Sequence, residues 1–273
     1  MSSRSWRFFI NGLLVCLAGL TLMPLLWMVS VSFMSEVAAN AFPPPFLPLH
    51  PTLENYRRLF NQAGMARYLL NSVIVASSVT LISLWFNVTA GYAFAKLRFF
   101  GRERLFRMLL GALVIPSQVG MIPLFIMLKR LHMVNTYAGV MAPMLAGVLG
   151  IFLVRQYALT LPDELMEAAR IDGAGEMRIF AQIVLPLLKP VITTFAVFTF
   201  LASWNDFMWP LIILTGQRHY TLPVALAALS REHMQDGPMM MAGSVVTVLP
   251  VLVLFLAFQR HYIRGLLAGS VKG

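Results

Sequence analysis

A charged segment over residues 160–186 carries the side chains whose types and spacing could do chemistry in this chain. Two alanines, Ala168 and Ala169, would let another surface approach closely. They belong to a set that recurs at intervals of three and four and therefore shares one helical face: Leu165, Ala168, Ala169 and Asp172. Three outward charges could make charge-assisted contacts to a partner protein: Glu164, Glu167 and Arg170. The segment predicts a docking face, with a solvated amphipathic helix as the alternative.

The boundaries of this segment predict two short helices that lie outside the membrane. Thr160 is a favoured capping residue, so the first helix is expected to run from there to about Asp172. Gly173 can adopt a positive φ and end that helix. Glu176 then opens a second helix, which Pro186 interrupts before the next apolar run. A helix-turn-helix unit would therefore present the docking face.

Membrane helices must position this segment, because the composition is that of an integral membrane protein. Of 273 residues 59% are hydrophobic and 12% are charged, with a mean hydropathy of +0.76, whereas soluble domains carry about 25% charged residues. Six runs reach the roughly 20 residues that a bilayer core requires: Phe8–Phe33, Tyr68–Ala95, Met108–Leu128, Met133–Val154, Pro190–Gln217 and Gly237–Gln259. Only the fifth run contains a charged residue, Asp206. We predict an all-α integral membrane protein with six transmembrane helices in a single domain, residues 1–273.

The Lys and Arg residues indicate the orientation of these spans. With the N-terminus placed in the cytoplasm, 14 of the 21 basic residues lie in inner loops and 7 in outer loops. This asymmetry predicts that both termini and the charged segment are cytoplasmic. The net charge of +10 does not indicate nucleic-acid binding, because the basic patches lie beside apolar spans. A cleaved signal peptide is the alternative for the first run, but its 26 residues exceed the roughly 7 to 15 of a signal core.

The connection between the first two spans is predicted to lie outside. Residues 42–51 are rich in proline and cannot continue a helix, so we expect a stiff, extended loop there. After it, Thr52–Phe60 combines a capping threonine with apolar residues at helical spacing. A short amphipathic helix at the outer interface is therefore predicted.

One set of fixed positions within the charged segment resembles a known signature, the EAA loop of ABC-importer permease subunits. The matching positions are Glu167-Ala168-Ala169, Gly173, Ile183 and Leu185-Pro186. Three further stretches look like the carbohydrate-uptake branch of that family, which includes the maltose permeases: Leu161–Leu165, Trp204–Phe207 and Trp209–Leu211. Length, number of spans and the proline-rich outer loop are also similar, so the resemblance covers nearly the whole chain.

The resemblance implies a type I importer fold and a set of partners. These would be a second homologous permease subunit, a dimer of cytoplasmic ATPase subunits and an extracytoplasmic solute-binding protein. The first helix of the segment would be the coupling helix, seated in a cleft of the ATPase, and ATP and Mg would bind to that ATPase. The coupling residues would be Glu167, Ala168, Ala169, Arg170, Asp172, Gly173, Ile183, Leu185 and Pro186.

The chain itself is predicted to be neither an enzyme nor a cofactor-binding protein. Its sequence contains no glycine-rich phosphate loop followed by Lys and Ser or Thr. Its five His residues show no metal-ligand spacing. No nucleophile has a suitable base within reach by sequence. We therefore expect no catalytic, metal or cofactor site on this subunit.

Four residues are candidates for a solute pathway: Gln118, Trp204, Asn205 and Asp206. Gln118 lies between Pro116 and Pro123, where kinks would free backbone groups to face a pathway, although a packed kink is the alternative. An intramembrane charge such as Asp206 suggests function, but it could instead cap a helix end with Asn205. The tryptophan could stack on a sugar ring or belong to an interfacial aromatic belt.

The predicted function is that of a permease subunit in the bacterial-type inner membrane, importing a sugar or sugar-like solute by alternating access. Glycerol phosphate or a polyol is an alternative solute. An ion-coupled secondary transporter is a second alternative, for which several buried carboxylates would be expected. A membrane scaffold without a pathway is a third.

Overall fold

The computed structural model describes residues 3–232 and 236–270. Within these residues the protein is built from α-helices joined by short 3₁₀ and π turns, and they include no β-strand. The α-helices are α1 (Ser3–Ser32), α2 (Glu36–Ala39), α3 (Glu54–Asn61), α4 (Met65–Lys96), α5 (Arg102–Ala112), α6 (Met121–Arg130), α7 (Tyr137–Met141), α8 (Val148–Leu159), α9 (Glu164–Ile171), α10 (Glu176–Ile179), α11 (Leu185–Leu187), α12 (Lys189–Trp204), α13 (Met208–Ile213), α14 (Leu222–Glu232) and α15 (Gly237–Ser270). The two predicted cytoplasmic ends, residues 1–2 and 271–273, lie outside the described residues.

Six segments qualify as membrane spans by length and composition, when each bent helix pair is counted as one. Three are single helices: Phe9–Ser32 within α1, Met65–Lys96 and Gly237–Phe258 within α15. Three are pairs: Arg102–Ala112 with Ser117–Arg130 (bent by 93°), Tyr137–Met144 with Val148–Leu159 (45°), and Glu176–Leu187 with Lys189–Trp204 (75°). This architecture agrees with the prediction of an all-α protein with six spans.

The breaks show where the predicted spans and the structure differ. Of the two kinks predicted in the third span, one is found, because the helix breaks over residues 113–116. Pro123 lies instead in the first turn of α6, where amide groups need no intrahelical acceptor. The fifth span was predicted to reach Gln217, and this is wrong: α12 ends at Trp204 and the rest of the run forms α13 and a turn.

The chain divides into two compact units, and the first comprises Met1–Leu69 and Leu222–Pro250. The predicted outer helix is present as α3, and the Thr52 hydroxyl accepts a hydrogen bond from the Glu54 amide at 3.1 Å. The buried Asn55 amide donates to the carbonyls of Ser32 and Met34 at 2.9 and 2.8 Å. These bonds fix α3 against the C-terminal end of α1.

The proline-rich connection also folds against α1. The Ser30 hydroxyl donates to the Phe46 carbonyl at 2.6 Å, and the rings of Trp27 and Phe46 lie 5.7 Å apart. Residues 40–53 contain no helix, as predicted. The loop is thus held at the end of α1 by side-chain contacts.

The second unit comprises Leu70–Thr221 and Val251–Gly273. It contains two clusters of buried side chains. The first cluster is Val75, Val79, Leu128, Val140, Trp209, Ile213 and Leu214. The second cluster is Val88, Tyr92, Ala95, Val154, Ala158, Met166, Ile179, Phe180, Val184 and Leu188. Because the second cluster includes Met166 of α9, it holds the predicted docking helix onto the spans.

Two small residues, Gly91 of α4 and Gly150 of α8, allow α8 to pack closely on α4 and on α12. A Cβ atom on Gly91 would lie 2.6 Å from the Val154 side chain, and one on Gly150 would overlap the Phe195 ring. The buried Asn87 bonds both helices, because its amide donates to Ser83 O at 2.6 Å and its carbonyl accepts from the Gly147 N–H at 3.0 Å. This junction joins α4 to α8, the helix that leads into α9.

Candidate coupling surface

Helix α9 is the first helix of the predicted helix-turn-helix. It begins at Glu164, after a turn that separates it from α8. The predicted capping role of Thr160 is wrong, because its hydroxyl donates to the Tyr157 carbonyl at 2.8 Å, at the end of α8. Glu164 and Glu167 lie in the first turn of α9, where negative charge is favourable near the positive end of the helix dipole.

The C-terminal end of α9 has a fixed geometry. Gly173 has φ +81°, which confirms the predicted positive φ. The Gly173 N–H donates to Arg170 O at 3.0 Å and the Ala174 N–H donates to Ala169 O at 2.9 Å. This is the Schellman pattern, in which a left-handed residue lets the last carbonyls find donors. The direction in which the chain leaves α9 is therefore set by the backbone at Gly173.

The exposed face of α9 differs in part from the predicted docking face. Met166 is only 3% exposed and belongs to the second cluster, and Ala169 packs against that cluster from the same side. Leu165 and Ala168 are exposed, and so is Ile171, at 87%. Ile171 was not among the predicted coupling residues, although it lies three positions after Ala168 and the same spacing rule could have found it. The outward surface of α9 is thus apolar and small, rimmed by Glu164, Glu167 and Asp172.

The N-terminal end of α9 is bonded to α4. The Lys96 ammonium donates to the Leu161 carbonyl and to the Asp163 carboxylate, each at 2.6 Å. The Lys96 side chain is 6% exposed, so these contacts replace most of its hydration. Hydrogen bonding and charge from Lys96 hold the pKa of Asp163 below its usual range.

The C-terminal end of α9 is bonded to the same helix. The Arg170 guanidinium donates to Glu176 Oε1 at 2.8 Å, and the Tyr92 hydroxyl donates to Glu176 Oε2 at 3.3 Å. Tyr92 and Lys96 are four residues apart and lie on one face of α4. Both ends of α9 are therefore connected to the last turns of a single membrane span.

The second helix of the predicted helix-turn-helix carries the last predicted coupling residues, Ile183, Leu185 and Pro186. After α10, residues Phe180–Val184 form a π turn, in which the Leu185 N–H donates to Phe180 O five residues back. Pro186 follows in α11, and its missing N–H explains a change of register at this place. Ile183 is partly buried, whereas Leu185 and Pro186 are exposed.

The candidate pathway residue Gln118 lies in a 3₁₀ turn at the break between α5 and α6. It is exposed, and its side-chain oxygen lies 3.4 Å from the Ser117 hydroxyl. The position within a broken span agrees with the prediction, and its role in transport stays a prediction.

The other three candidates occupy the junction of α12 and α13. The Asn205 amide donates to Leu201 O at 2.8 Å and so bonds the last turn of α12. The Asp206 carboxylate lies near the backbone N–H groups of Met208 and Trp209, just before the first turn of α13. Trp204 is 1% exposed and stacks on Phe200 at 5.7 Å between centroids. The positions of Asn205 and Asp206 match the alternative of a role at a helix end, and the role of all three residues in a solute pathway stays a prediction.

A buried polar network that the sequence reasoning missed lies beside the first cluster. The Asn71 amide donates to the carbonyls of Arg218 and Tyr220 at 3.0 and 2.9 Å, and the Tyr137 hydroxyl donates to its oxygen at 2.7 Å. An asparagine in a membrane helix requires hydrogen-bond partners. Asn71 and Asn87 within an uncharged run were therefore an available signal.

The sequence profile of one family, described as the binding-protein-dependent transport system inner membrane component, matches residues 87–267. The chain belongs to this family. It is a permease component, a multi-pass inner-membrane protein of a binding-protein-dependent transport system. The matched region includes the whole of α8 to α14 and hence the α9 surface.

Similar proteins extend over almost the whole chain. The arabinooligosaccharides transport system permease protein AraQ of Halalkalibacterium halodurans is 40% identical over 272 residues, covering 98% of this chain and 97% of AraQ. The sn-glycerol-3-phosphate transport system permease protein UgpE of Shigella flexneri serotype 5b is 33% identical and covers 97% of this chain and 98% of UgpE. The diacetylchitobiose uptake system permease protein NgcG of Streptomyces coelicolor is 33% identical, covering 99% and 89%.

Among solved structures, a chain of a bacterial ABC transporter involved in the import of the acidic polysaccharide alginate has a TM-score of 0.85. It is 24% identical and covers 95% of this chain and 98% of its own. This match shows the fold, which is that of an ABC-importer permease subunit.

Proposed function

We propose that this chain is one of two homologous permease subunits of an ATP-driven importer for a sugar or sugar-like solute. A separate pair of ATPase subunits, which bind ATP and Mg, would dock on α9, and an extracytoplasmic binding protein would deliver the solute. The observation that carries the proposal is the outward surface of α9, apolar at Leu165, Ala168 and Ile171. The residues that flank this helix on both sides, Asp163 and Glu176, are bonded to α4. The names of AraQ and NgcG support an oligosaccharide as the solute.

The contacts of α9 suggest how ATPase motion would reach the pathway. Closure of the ATPase pair would displace α9 as a rigid body, since its packing and its fixed C-terminal turn resist bending. The Lys96 and Glu176 contacts would carry that displacement into α4. The Asn87 junction would carry it from α4 to α8. Opening towards the outside would follow from movement of these spans together.

The proposed orientation places α9 and both termini in the cytoplasm. Lys96 and Arg155 lie at the α9 side of the second unit, where Lys96 bonds Asp163 and Arg155 bonds Glu103 at 3.1 Å. Grouping of basic residues on one side of a membrane protein is typical of its cytoplasmic face.

The proposal is tested by reconstitution of the complete transporter in proteoliposomes with ATP enclosed. Arabinooligosaccharide uptake should require ATP and the binding protein. Uptake that persists after ATP depletion, with the membrane potential held constant, would instead support an ion-coupled transporter.

A second candidate solute is glycerol phosphate, favoured by the similarity to UgpE. Competition in the same uptake assay separates the two. Excess unlabelled glycerol 3-phosphate should leave oligosaccharide uptake unchanged if the solute is a sugar, and should abolish uptake of the labelled phosphate ester if it is not.

A further inference from the structure

A cationic pocket lies in the loop that joins α4 to α5. It has a volume of about 610 Å³ and is lined by four arginines, Arg98, Arg102, Arg104 and Arg107. Two phenylalanines, Phe99 and Phe100, complete part of its wall. None of these residues belongs to the outward surface of α9 or to the candidate pathway residues.

The pocket has an excess of positive charge. Its single lining carboxylate, Glu103, lies 3.1 Å from Arg155 and 3.2 Å from Arg102. That carboxylate is therefore already shared by two guanidinium groups. Arg98, Arg104 and Arg107 add three further positive charges to the same wall. An anionic group would balance this charge, and arginine is the side chain best suited to bind phosphate oxygens.

The backbone at the pocket also favours an anion. Helix α5 has eleven residues and starts after Gly101, which has φ +78°. No side chain caps its N-terminus. Uncapped N–H groups at a helix start and the positive end of the dipole attract phosphate. At this pocket, the N–H groups and the dipole of α5 add to the positive charge of the lining arginines.

The position of the pocket favours a lipid as the source of that anion. The pocket begins two residues after Lys96, at the end of a membrane span. Phe100 is 97% exposed, and the exposed side chains of Leu105 and Met108 continue an apolar surface along α5. Cations beside exposed apolar side chains are typical of a segment at the headgroup level. Because Lys96 bonds Asp163, this loop lies on the same side of the membrane as α9.

We propose that this pocket binds the phosphate group of an anionic phospholipid in the cytoplasmic leaflet. The choice of the cytoplasmic leaflet rests on the orientation given in the proposed function. The chemistry of the pocket does not depend on that orientation. The phosphate binds among Arg98, Arg104 and Arg107, and the acyl chains lie along the exposed apolar side chains of α5.

The test uses the complete transporter, purified in detergent with its partner subunits. Native mass spectrometry measures how much dioleoylphosphatidylglycerol or dioleoylphosphatidylcholine the complex retains during titration.

The variant is the triple substitution Arg98→Gln, Arg104→Gln and Arg107→Gln, with Arg104→Gln alone as a milder change. The control carries the same loss of charge at exposed sites elsewhere: Arg57→Gln, Arg67→Gln and Arg130→Gln. The triple variant should bind phosphatidylglycerol about 100-fold more weakly, while the control and phosphatidylcholine binding should be unchanged.

Three results would overturn the proposal. Equal retention of phosphatidylglycerol by wild type, triple variant and Arg104→Gln would exclude the site. Binding of inorganic phosphate to the wild-type complex, with no retention of phosphatidylglycerol, would identify a site for a soluble anion. Loss of the ATPase subunits from the triple variant, with unchanged lipid retention, would identify a protein contact.

A labelling experiment separates this proposal from the orientation on which it rests. A cysteine at Phe100→Cys, in a Cys16→Ser background, should react with a membrane-impermeant maleimide only in inside-out vesicles. Reaction from the outside would overturn both the proposed orientation and the choice of leaflet. Reaction from the inside, together with no lipid retention by the protein that keeps Phe100, would overturn the lipid site alone.

Discussion

Gly173 holds the end of α9 at φ +81°, a conformation that costs residues with a Cβ atom about 1–2 kcal/mol. A β-branched side chain is the least compatible with it. We predict that Gly173→Val leaves the complex assembled but changes the exit angle of α9. The amount of solute imported per ATP hydrolysed should fall, as measured in proteoliposomes.

The neighbouring glycine provides a matched control for this prediction. Gly175 has φ −72° and ψ 159°, an extended conformation that valine adopts readily. No heavy atom lies within 4 Å of a Cβ built on either glycine, so backbone conformation is the main difference between them. Equal transport per ATP in Gly173→Val and Gly175→Val would contradict the proposed role of the turn.

Lys96 is the second residue on which the mechanism depends. Lys96→Met keeps the length of the buried stem and removes the donors to Leu161 and Asp163. We expect ATP hydrolysis to continue while uptake per ATP falls, because α9 then moves without α4. Lys129→Met, at an exposed position in α6, should behave as wild type. An unchanged ratio of solute uptake to ATP hydrolysis in Lys96→Met would contradict the proposed connection between α9 and α4.

The Lys96 contact also predicts a pH dependence. Lys96 lowers the pKa of Asp163, so the contribution of this pair to stability is fully present above the ordinary aspartate pKa of about 3.9. It is lost as the pH falls through the lowered value in the folded protein. Thermal unfolding of the complex in Lys96→Met should therefore differ from wild type by a constant amount between about pH 5 and pH 8. The difference should shrink only in stronger acid, and a change within the neutral range would contradict this assignment.

At the scale of elements, α8 depends on a close contact with α12 at Gly150. An added methyl group would overlap the Phe195 ring and approach Asn87 within 2.9 Å. We predict that Gly150→Ala destabilises the fold by about 1–3 kcal/mol, because packed interiors tolerate added atoms poorly. The loss of stability would appear as a lower midpoint of thermal unfolding of the purified complex than that of wild type. Gly111→Ala, in α5 with no heavy atom within 4 Å of the new Cβ, should show no loss. Equal midpoints for the two variants would rule out this contact.

The sequence predicts these elements to different degrees. Uncharged runs of sufficient length locate the six spans, and the Gly173 break locates the end of α9, because both signals are local. The break before α8 is accompanied by a tertiary hydrogen bond from Gly147 to Asn87, and α13, which follows the early end of α12, is held by one from the Trp209 indole to Gly139 O. The inward position of Ala169 likewise depends on which face meets the second cluster. Spacing alone gives a face of a helix, but not the direction in which that face points.

At the scale of the whole molecule, the protein is a permease subunit, and we propose that a separate ATPase moves it. The family, the match over nearly the full length of AraQ and the importer fold establish the permease. The outward surface of α9 is the place at which that ATPase is proposed to act. We also propose the orientation of the chain, the presence of a second permease subunit and the class of solute.

A cysteine cross-link from α9 to the ATPase tests whether α9 is the surface on which the ATPase acts. Ala168→Cys, in a Cys16→Ser background, is placed in the complete transporter, and Glu54→Cys in α3 serves as an exposed control on the proposed outer side. After addition of a maleimide that carries a photoreactive benzophenone to inside-out vesicles, and illumination, Ala168→Cys should yield a product containing the ATPase subunit, and Glu54→Cys should not. If Ala168→Cys reacts with the reagent yet never joins the ATPase, α9 is not the coupling surface.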